Sequence, residues 1–143
     1  MKISNRTFYG LKLMLRLAMA YNENVISLHE IAGSENISEK FLENIISSIK
    51  AKGMVKVRRG AKGGYYLAKA PSEITMNEIF NALEADILNR EWDKHDELTI
   101  ADTVIKKYLL EFQNEISKIL NSKTLEDLKV IYEKQNPDQM FYI

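Results

Sequence analysis

Three cations stand beside three glycines in the run Arg58-Arg59-Gly60-Ala61-Lys62-Gly63-Gly64. Lysine and arginine neutralise phosphate charge, and glycine lets a backbone approach a phosphate closely. The chemistry on offer is capture of a polyanion rather than bond breaking. The same glycines suit a tight hairpin turn, and the two readings are compatible. The run is not a Walker loop, because its lysine is misplaced and no helix opens after it. No serine-hydrolase elbow or dinucleotide-binding glycine fingerprint occurs. Of the two imidazoles, His29 falls in a helical stretch and reads as structural or solvated. His95 lies among Asp93, Asp96 and Glu97. That set is conceivable as a metal site, but reads more simply as a solvated acidic loop. The absence of cysteine excludes disulfides, thiolate zinc sites, a cysteine nucleophile and all-cysteine iron–sulfur ligation. The expectation is a non-enzyme with no cofactor and no metal.

Charge is segregated along the chain. Residues 1–70 hold 12 Lys and Arg against 5 Glu, a net of +7, and residues 71–143 hold 8 against 15 acidic residues, a net of −7. The first half is therefore the one expected to meet a polyanion. A length of 143 residues with 45% hydrophobic and 28% charged residues fits one core plus a long appended element. No apolar run approaches the roughly 18 residues of a membrane span. The start Met1-Lys2-Ile3-Ser4 lacks a signal peptide's apolar region, so a cytoplasmic protein without membrane contact is expected.

Several elements must position the cationic run. Phe8, Leu11, Leu15 and Ala18, widened by Met14 and Leu17, have helical spacing and predict a helix over about 5–21. Ser27-Leu28-His29-Glu30 reads as a capping box opening a short second helix, with Gly33 as its left-handed end. Ser38 caps a third helix, whose apolar face is Phe41, Leu42, Ile45, Ile46 and Ile49. Its other face carries Lys40, Glu43, Asn44, Ser47 and Lys50. Two short helices joined by a few residues make a helix-turn-helix pattern. Alternation over Met54-Val55-Lys56-Val57-Arg58-Arg59, a glycine turn and Tyr65-Tyr66-Leu67 predict a hairpin directly after it. The sum is a winged helix. Thr75-Met76-Asn77-Glu78 caps a fourth helix.

A long helix over about 100–120 carries Ile105, Leu109, Phe112, Ile116 and Ile119 at alternating steps of four and three, an a/d seam. At 1.5 Å per residue it spans roughly 30 Å. It reads as a dimerisation helix, the alternative being a helix packed within its own subunit. Thr124 opens a last helix. The fold class expected is mainly α, a winged helix-turn-helix with a two-stranded wing plus the dimerisation helix. The expected division is a DNA-binding domain over 1–84, a linker or sensor loop over 85–99, and the dimerisation and final helices over 100–143.

Tyr9-Gly10-Leu11, Ile31-Ala32, Ser38-Glu39-Lys40-Phe41-Leu42-Glu43 and above all Arg59-Gly60-Ala61-Lys62-Gly63-Gly64-Tyr65-Tyr66-Leu67 resemble the Rrf2 family of bacterial transcription regulators. Ile74-Thr75, Glu78-Ile79 and Leu83-Glu84 continue the resemblance across most of residues 1–84. Thr124-Leu125-Glu126-Asp127-Leu128 and Met140-Phe141-Tyr142-Ile143 look like the family's cysteine-metabolism repressor branch. The resemblance implies a homodimeric winged-helix DNA binder, with the long C-terminal helix crossed between subunits, and a repressor is the expected role. Many members sense iron, nitric oxide or redox state through a cluster on three cysteines before the long helix. Residues 85–99 contain no cysteine, which excludes that route here. Phe8 stands where the family usually has a basic residue.

These readings converge on a mechanism. The third helix enters the major groove of a pseudo-palindromic operator, with Glu43, Asn44 and Ser47 toward bases and Ser38, Lys40 and Lys50 toward the backbone. The wing residues Arg58, Arg59, Gly60, Lys62, Gly63, Gly64 and Tyr65 track phosphates or an adjacent minor groove. Lys2, Ser4 and Arg6 anchor the first helix to phosphate. The effector is a partner enzyme or a small molecule. The alternative is a winged-helix module whose basic face meets an acidic protein.

Overall fold

Ser4 opens the first helix by accepting a hydrogen bond from the Thr7 amide, which satisfies one of the donors a helix start leaves free. The computed structural model describes residues 2–84 and 99–137. Its elements are α1 (Asn5–Met19), α2 (Leu28–Glu35), α3 (Glu39–Ala51), β1 (Val55–Arg58), β2 (Gly64–Leu67), a 3₁₀ turn (Pro71–Glu73), α4 (Met76–Leu83), α5 (Ile100–Ser122) and α6 (Leu125–Gln135). Ser27, Ser38, Thr75, Thr99 and Thr124 each cap the helix that follows.

The strands pair antiparallel, with Val55 opposite Leu67 and Arg58 opposite Gly64. Ile26 forms an isolated antiparallel rung with Tyr65 of β2, since its amide donates to the Tyr65 carbonyl and the Tyr65 amide donates back. The core gathers Leu13, Met14 and Leu17 of α1, Ile31 of α2, Leu42, Ile45, Ile46 and Ile49 of α3, and Met54, Ile74 and Ile79. The winged helix-turn-helix architecture and the mainly helical class follow the sequence reading.

Three details depart from it. The left-handed residue after α2 is Asn36, with φ of 54°, while Gly33 lies inside the helix with open space around it. Asparagine tolerates that conformation because its short amide can bond locally. The chain also leaves α1 earlier than expected, through Asn22 at φ 64°. Finally, α6 is continuous with the winged-helix body, although the sequence division groups it with α5. Leu125 is fully buried, its amide donates to the Ile74 carbonyl, and the Met76 amide donates to that of Lys123. α6 also packs on α1.

Candidate nucleic-acid interface

α3 presents two faces because its apolar residues recur at helical spacing. Leu42, Ile45, Ile46 and Ile49 are buried, while Ser38, Lys40, Glu43, Asn44, Ser47 and Lys50 are all exposed. Gly53, at φ 79°, ends the helix and turns the chain directly into β1. β1 packs against α3. Arg58, Arg59 and Lys62 are exposed at and beyond the end of β1.

Charge pairing engages only part of the basic half. Lys12 and Arg16 pair with Glu35, and Lys69 pairs with Glu78 at 2.6 Å. Among the described residues Lys40, Lys50, Arg58, Arg59 and Lys62 have no carboxylate partner, and Lys2, Lys52 and Lys56 have none either. Arg58 lies 6.0 Å from the centroid of Tyr66, a diagonal cross-strand contact that steadies the guanidinium and leaves its charge uncompensated.

The glycines and Tyr65 of the wing have internal duties. Gly60 takes φ 114°, a conformation that side chains resist. A β-carbon on Gly63 would sit 2.1 Å from the Arg58 carbonyl oxygen, and one on Gly64 would sit 2.7 Å from the Ile26 backbone. Hairpin closure thus requires glycine at 63, and the close approach of the Ile26 backbone requires it at 64. Tyr65 packs against the core, and its backbone carries the rung to Ile26. Ser38 is exposed, and its oxygen accepts the Phe41 amide at 3.0 Å as the α3 cap.

Ser4 and Arg6, expected as phosphate anchors, have hydrogen-bond partners within the subunit. The Ser4 amide and hydroxyl both donate to Glu84 Oε1 at 2.7 Å, and the Thr7 hydroxyl donates to the same oxygen at 2.6 Å. These donors, the Thr7 hydroxyl first, hold the Glu84 carboxyl below its ordinary value. Arg6 is bound to Leu83, Asn44 and Ser48. Both side chains are engaged within the subunit, because the start of α1 lies against the end of α4. Lys2 remains exposed.

One contact on this face was not expected. His29 Nδ1 lies 2.7 Å from Glu39 Oε1, joining the first turns of α2 and α3. Helical periodicity gives no signal for it, because the pair spans the turn between two helices.

α5 has one side against α4 and no buried residue. Of its expected seam, Ile105, Phe112 and Ile119 are more than half exposed, whereas Leu109 and Ile116 are half-buried. Val104 and Tyr108, missed in the seam reading, widen the uncovered face, and Tyr108 packs edge-on against Phe112. Among the described residues no helix is long and apolar enough to cross a membrane.

The sequence pattern of Rrf2, described as an iron-dependent transcriptional regulator, matches residues 3–130. The HTH-type transcriptional regulator CymR of Bacillus subtilis is 36% identical over 143 residues, covering all of both chains. A solved structure of CymR from B. subtilis superposes with a TM-score of 0.74 at 35% identity, over 92% of this chain and 98% of that one. IscR of T. potens gives 0.72 at 31% identity, over 95% and 91%. Iron held by thiolates does not fit this chain. It has no cysteine, and among the described residues no group of three or more His, Asp or Glu could hold a metal ion. His95 and its neighbouring carboxylates lie outside the described residues. A match across residues 3–130, together with whole-length identity to a transcriptional regulator, places this chain in the Rrf2 family of non-enzymatic, DNA-binding transcriptional regulators, which act as dimers.

Proposed function

We propose that this regulator is a repressor that reads a pseudo-palindromic operator, with α3 of each subunit in a major groove. Glu43, Asn44 and Ser47 face base edges, where an amide pairs with adenine and a carboxylate accepts from cytosine. Lys40 and Lys50 flank them toward phosphates. Arg58, Arg59 and Lys62 carry the wing along the backbone or into the adjacent minor groove, with Lys2 as a further phosphate contact. Two subunits joined through α5 would set half-sites about 34 Å apart or a multiple of it. The acidic second half of the chain faces away from DNA.

The observation that carries this reading is the pairing pattern of the cations. Those on α3 and the wing lack carboxylate partners among the described residues, while Lys12, Arg16 and Lys69 have them. Uncompensated cations on one face are what a phosphate backbone requires. One solved relative is described as the global cysteine regulator of B. subtilis. That supports control of cysteine-supply genes here, in the cytoplasm, with a partner enzyme or a small molecule as effector.

Titrations at several salt concentrations test it, on a duplex selected from a random library and on its scrambled counterpart. Arg59→Ala should weaken both duplexes and lower the slope of log affinity against log salt by about 0.9. Asn44→Ala should cost about 1–3 kcal/mol on the selected duplex alone. Equal weakening of both duplexes by Asn44→Ala would show that α3 does not read bases. If neither variant alters binding, the basic face serves a protein partner instead.

A further inference from the structure

Arg6 bridges two helices that meet at the start of α1. Its Nη1 donates to the Leu83 carbonyl, at the last residue of α4, at 3.1 Å. Its Nη2 donates to the Asn44 carbonyl at 3.5 Å and to the Ser48 hydroxyl. Asn44 and Ser48 lie one turn apart in the middle of α3, and the Ser48 hydroxyl donates onward to the Asn44 carbonyl at 3.4 Å. The guanidinium therefore grips the backbone of the residue whose side chain is placed at the bases.

The first turn of α1 is itself held. Three donors from Ser4 and Thr7 converge on one Glu84 oxygen, and Thr7 is fully buried. Gly10, one turn further along, lies so close to Leu83 that a β-carbon there would sit 2.3 Å from its Cδ1. Arg6 thus projects from a fixed platform made of α1 and the end of α4.

The apolar face of α3 already holds the helix against the core. Apolar burial is non-directional, so it resists lifting the helix more than small rotations or slides. A planar guanidinium with directed donors restrains those motions. Reading a base edge needs placement to within about 0.5 Å.

We infer that Arg6 is a positioning residue for sequence reading, fixing the rotation and register of α3 through Asn44 and Ser48 without touching DNA. This rests on the reading of α3 proposed above. It also accounts for an arginine at the N-terminus of a basic domain that is not directed at phosphate.

The test uses the full-length protein and two duplexes, one selected by the wild type from a random library and its scrambled counterpart. Arg6→Met keeps the aliphatic stem, and Arg6→Lys keeps the charge but loses the fork. Both should lower the ratio of selected to scrambled affinity about tenfold, the equivalent of one base contact. Scrambled-duplex affinity and the salt slope should hold. Ser48→Ala, which removes one acceptor on α3 and no charge, should lower the same ratio less, by about threefold.

Other outcomes overturn the inference. If Arg6→Lys retains full binding while Arg6→Met weakens both duplexes and lowers the salt slope by about 0.9, Arg6 is a phosphate anchor. If the variants lose binding to both duplexes only in proportion to a lowered folded fraction, measured by thermal melting, the role is structural. A wild-type protein that enriches no sequence from the library would instead overturn the reading of α3 itself, a failure visible before any variant is made.

Discussion

α3 and α5 are both amphipathic, but their apolar faces meet different fates. The apolar residues of α3 are buried in their own subunit, Leu42 and Ile45 completely. α5 is longer, at 23 residues, yet buries none, and Val104, Ile105, Tyr108, Phe112 and Ile119 are all at least half exposed. An apolar face of that extent is costly in water and marks an association surface. The apolar side of α3 therefore specifies the fold of one subunit and leaves its polar side exposed, the side proposed above to meet DNA. The apolar side of α5 is uncovered within the subunit, as the proposed contact with a second subunit requires. Leu109 and Ile116 of the same seam are half-buried within the subunit, and α5 packs on α4.

The largest effect should come from breaking the α5 face. Ile105→Asp with Phe112→Asp places two carboxylates in the dimer contact, at a cost of several kcal/mol. Sedimentation should find folded monomers with an unchanged helical spectrum, and operator affinity should fall with the loss of the second half-site. A dimer of unaltered affinity would move the association surface elsewhere.

A milder pair of substitutions sharpens the contrast. Ile45→Ala should cost about 2–5 kcal/mol, because a fully buried isoleucine leaves a cavity. Ile105→Ala makes the same chemical change at a position 55% exposed within the subunit. Compared in a Phe112→Asp background that otherwise keeps Ile105, at a concentration where both proteins are monomeric, it should leave the melting temperature nearly unmoved. Equal losses at the two positions would mean that α5 is packed within its own subunit.

The two helices were also legible in the sequence to different degrees. Alternating steps of four and three gave α5 its seam, but not its width. Val104 and Tyr108 widen the exposed face but fall outside a strict a/d repeat, which counts only two positions in seven. α3 was readable because its apolar stripe and Ser38 cap are local signals. Arg6 was not, since its acceptors at Leu83 and Asn44 are 77 and 38 residues away. In sequence, an arginine directed at carbonyls looks the same as one directed at phosphate. The rung between Ile26 and Tyr65 and the burial of Leu125 are equally non-local. At the end of α2, Gly33 is the residue for which a left-handed conformation is cheap, yet the chain takes that conformation at Asn36.

Acid provides the smallest and most selective test, because the two regions differ in titratable groups. The uncovered face of α5 is built from Val104, Ile105, Phe112 and Ile119, which do not titrate, with the Tyr108 phenol among them. The winged-helix body is fastened through Glu84, whose carboxyl is held below its ordinary value of 4.5 by the Thr7 hydroxyl, then by Ser4. A carboxylate with a lowered folded pKa binds protons more readily in the unfolded chain. Its stabilising contribution is therefore present above about pH 4.5 and is lost as pH falls through the lower folded value. Glu84→Gln should be less stable than the wild type at pH 7, and the two melting curves should converge as pH drops below 4.5. Glu78 and Asp127 are also held low, so the variant should keep part of the acid sensitivity. Dimer affinity, measured where the body is still folded, should be the same for both proteins across this range. Melting curves that stay parallel down to pH 3 would mean that the Glu84 carboxylate does not fasten α1 to α4. A dimer affinity that follows the Glu84 substitution would mean that the two regions are not independent.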